Sequence, residues 1–269
     1  MTVDTAKLKE RYSPEGSALR NLQHEMLEEL MVLDKICKEN GLTYYLSSGT
    51  ALGAVRHHAF IPWDDDLDIA LPEKDYKRLV AILREYPSEV YVLQDRHSDF
   101  NYINGFPKFR KKEGNLLGSF PQRGKLYKYK GSGVDIFCVA PNSFLRAFVC
   151  AKLRVALLHF MFKIGNDSLR KAMTRFQWFV YQCLVPLTWP LNIFRKKGEL
   201  HYGLGQGFAK HYFWEHELFP VGETLFETLL FPVPRDADAY LTHIYGEWRR
   251  LPSEEQIAAT IHNQELIEP

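Results

Sequence analysis

The segment Trp63-Asp64-Asp65-Asp66-Leu67-Asp68-Ile69 sets four carboxylates within five positions. Like charges this close repel, so folding alone gives no reason to place them beside an apolar run. In an extended strand side chains alternate faces, which puts Asp64, Asp66 and Asp68 on one side. Carboxylates at i and i+2 on one face can hold a hard divalent cation. Mg2+ takes one or two protein carboxylates and fills its shell with water and phosphate oxygens. Asp135 is the lone acid in the apolar run Val134-Asp135-Ile136-Phe137-Cys138-Val139, where burying it ionised and unpaired would cost roughly several kcal/mol. If that run lies beside Asp68, Asp135 becomes a third carboxylate, as a two-metal phosphoryl-transfer centre requires. The plainer readings are a solvated acidic loop for Asp64 and Asp65 and a salt bridge for Asp135.

Ser47-Ser48-Gly49-Thr50 lies between a predicted strand and a predicted helix. A glycine there lets the backbone approach a phosphate, the helix start offers free amides, and Ser48 and Thr50 add hydroxyls. Arg56 follows that helix and can reach either a phosphate or the acidic run. Lys108-Phe109-Arg110-Lys111-Lys112 offers Lys108 and Arg110 to a diphosphate, or is a solvated basic loop. Trp63 can pack in the core or stack on a base or a quaternary ammonium. His57 and His58 read as packing or supporting groups rather than metal ligands.

These residues need elements to hold them. Leu19, Leu22, Met26, Leu30, Leu33 and Cys37 recur at helical steps. Strands are predicted over 43–47, 67–71, 90–93, 106–110, 134–139 and 225–233, and helices over 49–56, 73–86 and 235–245. The 269 residues, 46% hydrophobic and 25% charged, suit one large domain or two joined ones. A net charge of +1 argues against a nucleic-acid binder. Cys37, Cys138, Cys150 and Cys183 form no CxxC pair and read as buried thiols. The polar first residues carry no signal-peptide pattern, so a cytoplasmic protein is expected. The chain divides into a tail (1–16), an α/β core (17–141), a helical insert (142–198) and a segment that returns to the core (199–269).

The insert differs in character. Residues 142–198 hold ten Lys and Arg against one acid, Asp167, and 176–194 run nineteen residues without a charge. Helices are predicted over 144–164 and 175–194. A buried subdomain, a pair of helices lying at the inner membrane face and a true span are all open; Pro186 and Pro190 argue against the span.

The run Arg56-His57-x-x-Phe60-Ile61-Pro62-Trp63-Asp64-Asp65-Asp66-x-Asp68-Ile69, within the stretch 45–69, closely resembles the LicD family. That family includes bacterial phosphocholine transferases and is related to fukutin and fukutin-related protein. Gly133-Val134-Asp135-Ile136-Phe137 resembles its second acidic strand. Tyr240-Leu241, Tyr245-Gly246-Glu247-Trp248 and Leu251-Pro252 resemble its C-terminal block. The resemblance implies an α/β (α+β) fold with a polymerase β-like nucleotidyltransferase core, a small mixed sheet with helices. It implies Asp66 and Asp68 as a metal-binding pair, Asp135 as the third carboxylate, and Gly49 and Thr50 as the phosphate turn. The implied cofactor is Mg2+ or Mn2+. The implied reaction moves phosphocholine, or another phospho-alcohol, from CDP-choline or a related CDP-alcohol to a hydroxyl of a glycan or lipid-linked glycan, releasing CMP. Many relatives carry an Arg shortly before a His; here Ser253-Glu254-Glu255-Gln256 leads to His262 without it, which leaves His262 without an assigned role. Two other readings stand beside this one: transfer of NMP to a small acceptor, and an inactive module that binds a lipid-linked glycan. The intact Asp66, Asp68 and Asp135 weigh against the second.

Overall fold

Two helices open the chain in the computed structural model, which describes residues 4–116, 124–162, 166–203 and 211–260. Asp4 caps α1 (Thr5–Tyr12) by accepting from the Lys7 amide, and Ser17 caps α2 (Ala18–Glu39) by accepting from the Arg20 amide. The predicted stripe of α2, Leu19 to Cys37, is buried, so this helix covers the sheet with one apolar face.

The chain then forms β1 (Tyr45–Leu46), α3 (Ser48–His57), β2 (Asp68–Pro72), α4 (Glu73–Arg84), β3 (Tyr91–Gln94), β4 (Lys108–Lys111) and β5 (Gly133–Ala140). These strands lie in the order β1-β2-β5-β4-β3. β2 and β5 are parallel; β1 with β2, β5 with β4 and β4 with β3 are antiparallel. A parallel pair needs a long crossover, which α4, β3 and β4 provide. Ile69, Leu71, Val134, Ile136 and Phe109 are buried at the centre of this mixed sheet.

The insert follows β5 as α5 (Phe144–Phe162), α6 (Asp167–Leu187) and a 3-10 turn (Trp189–Phe194). The predicted helix over 175–194 therefore starts earlier, where Asn166 caps it, and its last part is 3-10 rather than α; Pro186 sits in the final turn of α6. Gln177 and Trp178 fasten α6 to the core, donating to the Ile103 and Tyr102 carbonyls at 3.4 and 3.3 Å. Among the described residues no helix is long and apolar enough to cross a membrane.

β6 (Glu199–Tyr202) then returns to pair with the last residues of β5 and carries β7 (Tyr212–Trp214) at its far side. α7 (Glu215–Leu218) leads to β8 (Gly222–Phe226) and β9 (Leu229–Val233), an antiparallel hairpin where one strand over 225–233 was predicted. Glu227, at φ +56°, makes the reversal. α8 (Ala237–Tyr245) ends at Gly246, and α9 (Glu254–Thr260) comes last. His262 lies outside the described residues. Cys37, Cys138 and Cys150 are buried as expected, but Cys183 is exposed, because it lies on the outer side of α6.

Candidate active site

α3 begins directly off β1, at a turn where Ser48 takes φ +48°. A left-handed non-glycine residue costs about 1 kcal/mol or more, and a hydroxyl cluster holds it there. Ser47 Oγ lies 2.9 and 3.1 Å from the hydroxyls of Tyr202 and Tyr240, and the Ser48 amide donates to Tyr240 Oη at 2.9 Å. Gly53 lets α3 pack close to the returning chain: a Cβ there would come within 2.6 Å of the Ala59 carbonyl oxygen. This tight return sets the path from Gly49 to the acidic run.

That path brings the turn and the carboxylates to one cleft of about 1120 Å3. Ser48, Gly49, Arg56, Asp64, Asp66 and Asp68 line it, together with Tyr245, Glu247, Trp248, Arg250 and Leu251 from the C-terminal part of the chain. Asp64, Asp66 and Asp68 share this cleft, but β2 starts only at Asp68, so the irregular chain before the strand, rather than strand alternation, brings Asp64 and Asp66 there. Asp65 is buried and does not line the cleft. The Asp64 carboxylate lies over the turn, with Oδ2 3.0 Å from where a Cβ on Gly49 would be. Burial, then the charges of Asp66, Asp68 and Asp65, raises the Asp64 pKa well above the carboxylate range. Asp68 is raised well above it too, by burial and then by Asp66 and Asp135, against the pull of Lys108.

Thr50, expected at the phosphate turn, is buried; its hydroxyl accepts from the Asp68 amide at 2.8 Å and so fixes the backbone of the acidic strand. Asp135 stands beside Asp68 across the parallel pair and beside Lys108 across the antiparallel one. Lys108 Nζ is 2.9 Å from Asp135 Oδ1, so the lone acid of β5 has a cation partner within the sheet. Burial still raises the Asp135 pKa, with Lys108 opposing. Arg110, expected near a diphosphate, does not line the cleft. Its buried guanidinium donates to the Gly131 and Tyr129 carbonyls and to Gln94 Oε1.

Arg56 does line the cleft, and two contacts aim it. Its Nη1 donates to the Trp248 carbonyl at 2.9 Å and its Nε donates to His57 Nε2 at 2.9 Å. His57 Nε2 is therefore the acceptor, and Nδ1 carries the hydrogen that faces Thr5 Oγ1 at 3.0 Å. Burial, then Arg56, Lys9 and His58, pulls the His57 pKa down to about 3, so the ring is neutral. Trp63 is buried, edge-on to Tyr12 with ring centroids 5.3 Å apart, which is core packing rather than a stacking platform. The segment expected to be a tail thus supplies α1, with Thr5 and Tyr12 supporting the site.

Sequence reasoning missed the network behind the acidic loop. Glu227 binds the Arg20 guanidinium through two contacts of 2.9 Å and accepts from the Phe60 amide at 3.3 Å. Arg20 donates to Gln23 Oε1, and Gln23 Nε2 donates to the Asp64 carbonyl at 3.0 Å. The available signals were slight: Gln23 inside an apolar stripe, and one acid in the run 225–233.

Carboxylate oxygens are the donors that a hard divalent cation prefers, and such an ion would relieve the repulsion among Asp64, Asp66 and Asp68. Among the described residues no three His, Cys, Asp or Glu side chains are already set to hold one metal ion. The residues fit a pair of protein carboxylates, the remaining positions being left to water and substrate oxygens.

A family model described as LicD/FKTN/FKRP, nucleotidyltransferase domain, matches residues 41–144. The chain is 26% identical to the lipopolysaccharide cholinephosphotransferase LicD of Haemophilus influenzae over 87% of its own length and 93% of that protein. It is also 30% identical to an uncharacterized protein of Rickettsia typhi, over 51% of this chain and 47% of that one. A shorter match, 41% identical over 59 residues, joins it to an uncharacterized protein of Rickettsia prowazekii, at 22% of each. The domain match holds the turn, the acidic run and the strand of Asp135, and the Haemophilus match spans most of both chains: residues 41–144 match the LicD family, and the chain as a whole is similar to a LicD protein.

Proposed function

We propose that the chain is a phosphotransferase with a nucleotidyltransferase-like core. It moves phosphocholine, or a related phospho-alcohol, from a CDP-linked donor to a hydroxyl of a cell-surface glycan or its lipid-linked precursor. The reaction is placed on the cytoplasmic side, where nucleotide-linked donors are made. The carrying observation is the single cleft that joins Ser48, Gly49 and Arg56 to Asp64, Asp66 and Asp68. The Haemophilus relative's name supports phosphocholine as the group moved.

The acceptor oxygen forms a bond to the phosphorus that bears choline. The bond from that phosphorus to the bridging oxygen breaks, and CMP leaves with the electron pair. Such transfers need positioning and charge stabilisation more than covalent chemistry. Asp66 and Asp68 would hold Mg2+ or Mn2+, which when bound neutralises charge on the diphosphate. Gly49 lets the donor approach the start of α3, Arg56 meets a phosphate oxygen, and Lys108, held by Asp135, adds positive charge beside the acidic pair. Asp64, on the cleft wall over Gly49, takes the acceptor's proton.

Thermal unfolding with CDP-choline, CDP-ribitol, CDP-glycerol, ATP and UDP-sugars, each with and without Mg2+, tests this. A true donor at about 100 times its dissociation constant should stabilise the fold by about 2.7 kcal/mol. The expected result is a Mg2+-dependent shift with one CDP-alcohol that shrinks in Asp68→Asn. A shift with ATP alone would move the assignment to nucleotidyl transfer. No shift with any donor, in folded protein, would overturn the transferase.

A further inference from the structure

The helices of the insert are inside out. α2 buries a leucine-rich stripe, with Arg20, Gln23 and Glu29 its polar exceptions, and exposes most of its other charges. α5 buries Arg146, Cys150 and Arg154, while Phe144, Leu145, Phe148, Val149 and Val155 are exposed. Arg146 is used internally, donating to Asn142 Oδ1 and Thr188 Oγ1. α6 repeats the pattern: Thr174, Gln177 and Val180 face inward, and Phe176, Phe179, Leu184 and Leu187 face out. The 3-10 turn continues it with Trp189, Ile193 and Phe194, Ile193 being 83% exposed. In water such a surface is left uncovered, which marks a contact site.

Charge selects what covers it. Exposed Arg195, Lys196 and Lys197 directly follow Phe194, and Lys152, Lys171 and Arg175 are exposed on the two helices. The one acid between residues 142 and 198, Asp167, is already bound by Arg170 at 2.8 Å. A second copy of this face would set two strongly basic surfaces against each other. An anionic lipid surface offers both what the apolar side chains and what the basic ones need. Neither helix is long and apolar enough to span, so the pair would lie in the plane of the interface.

We infer that the outer face of α5, α6 and the 3-10 turn docks the enzyme onto an anionic phospholipid bilayer. Flotation of the full chain with vesicles of phosphatidylcholine alone, or mixed with phosphatidylglycerol, tests this without any donor, so it can fail independently of the transferase reading. Binding is expected to the mixed vesicles, weakened by salt. Lys196→Gln and Lys197→Gln should each lower partitioning by about fivefold. Phe148→Glu with Phe179→Glu should abolish it while leaving the far-UV circular dichroism spectrum unchanged. Absence of binding by the folded chain, or binding that survives the double phenylalanine variant, would overturn the proposal. So would a concentration-dependent dimer that this variant dissolves, which would assign the face to self-association.

Discussion

Asp68 stands under opposed demands. It is buried, it neighbours Asp66 and Asp135, and the Thr50 hydroxyl fixes its amide. Removing its charge should relieve the fold while harming the chemistry. In divalent-free buffer Asp68→Asn is expected to unfold at a higher temperature than the native chain, yet with Mg2+ to carry out the proposed transfer on the order of 100-fold more slowly or worse. Calorimetry beside a turnover assay checks both, and a lower melting temperature would mean that the carboxylate is a structural group. The acidic run was legible because four repelling charges beside an apolar strand make an anomaly that sequence alone displays. Thr50 and Arg110 were misplaced for a related reason. A hydroxyl or guanidinium reads as a phosphate ligand until its partners are known, and theirs are the Asp68 amide and the carbonyls of Tyr129 and Gly131.

α2 meets the start of β5 through an acid rather than a leucine. Ser132 Oγ lies 2.6 Å from Glu29 and 2.9 Å from Glu25, and one hydroxyl hydrogen cannot serve two carboxylates. Burial raises the Glu29 pKa to about 7, against Ser132, Lys111 and Lys108. The folded chain therefore keeps a proton that the unfolded chain has released. This group's contribution is most favourable in acid and declines as pH rises from the ordinary carboxylate range through about 7. Glu29→Gln, which keeps an acceptor for Ser132, is expected to stabilise at about pH 8 by up to about 3 kcal/mol, with the gain falling to about 1 kcal/mol or less by pH 5. Denaturant titrations at the two pH values measure it; a gain equal at both would remove Glu29 as the cause. Long periodic elements such as α2, and apolar strands such as β2 and β5, could be read from pattern. β6 and β7 could not, being too short to show a period, and the β8–β9 reversal was hidden because Glu227-Thr228 offers no glycine or asparagine.

Glu227 ties together parts of the chain that are far apart in sequence. Arg20 and Lys9 bind its carboxylate, and it accepts from the Phe60 amide beside the acidic loop. Burial alone would raise its pKa, but Arg20 and Lys9 hold it below the usual range. Glu227→Ala leaves the buried Arg20 with the neutral Gln23 and the exposed Glu15 in place of its close carboxylate, and is expected to cost about 3 kcal/mol in denaturant unfolding. A loss below about 0.5 kcal/mol would place it among ordinary surface changes. No local pattern announces such a clamp, since its members come from both ends of the chain. The same long-range closure has a consequence at the insert. Val139 pairs with Tyr202 and Ala140 with His201, so the chain leaves the sheet at one strand and re-enters at the next. Everything between is a loop in topological terms, however large. An excursion of this kind can lengthen or shorten without shifting the register in which β5 and β6 pair, so the strand that carries Asp135 keeps its place whatever the excursion holds.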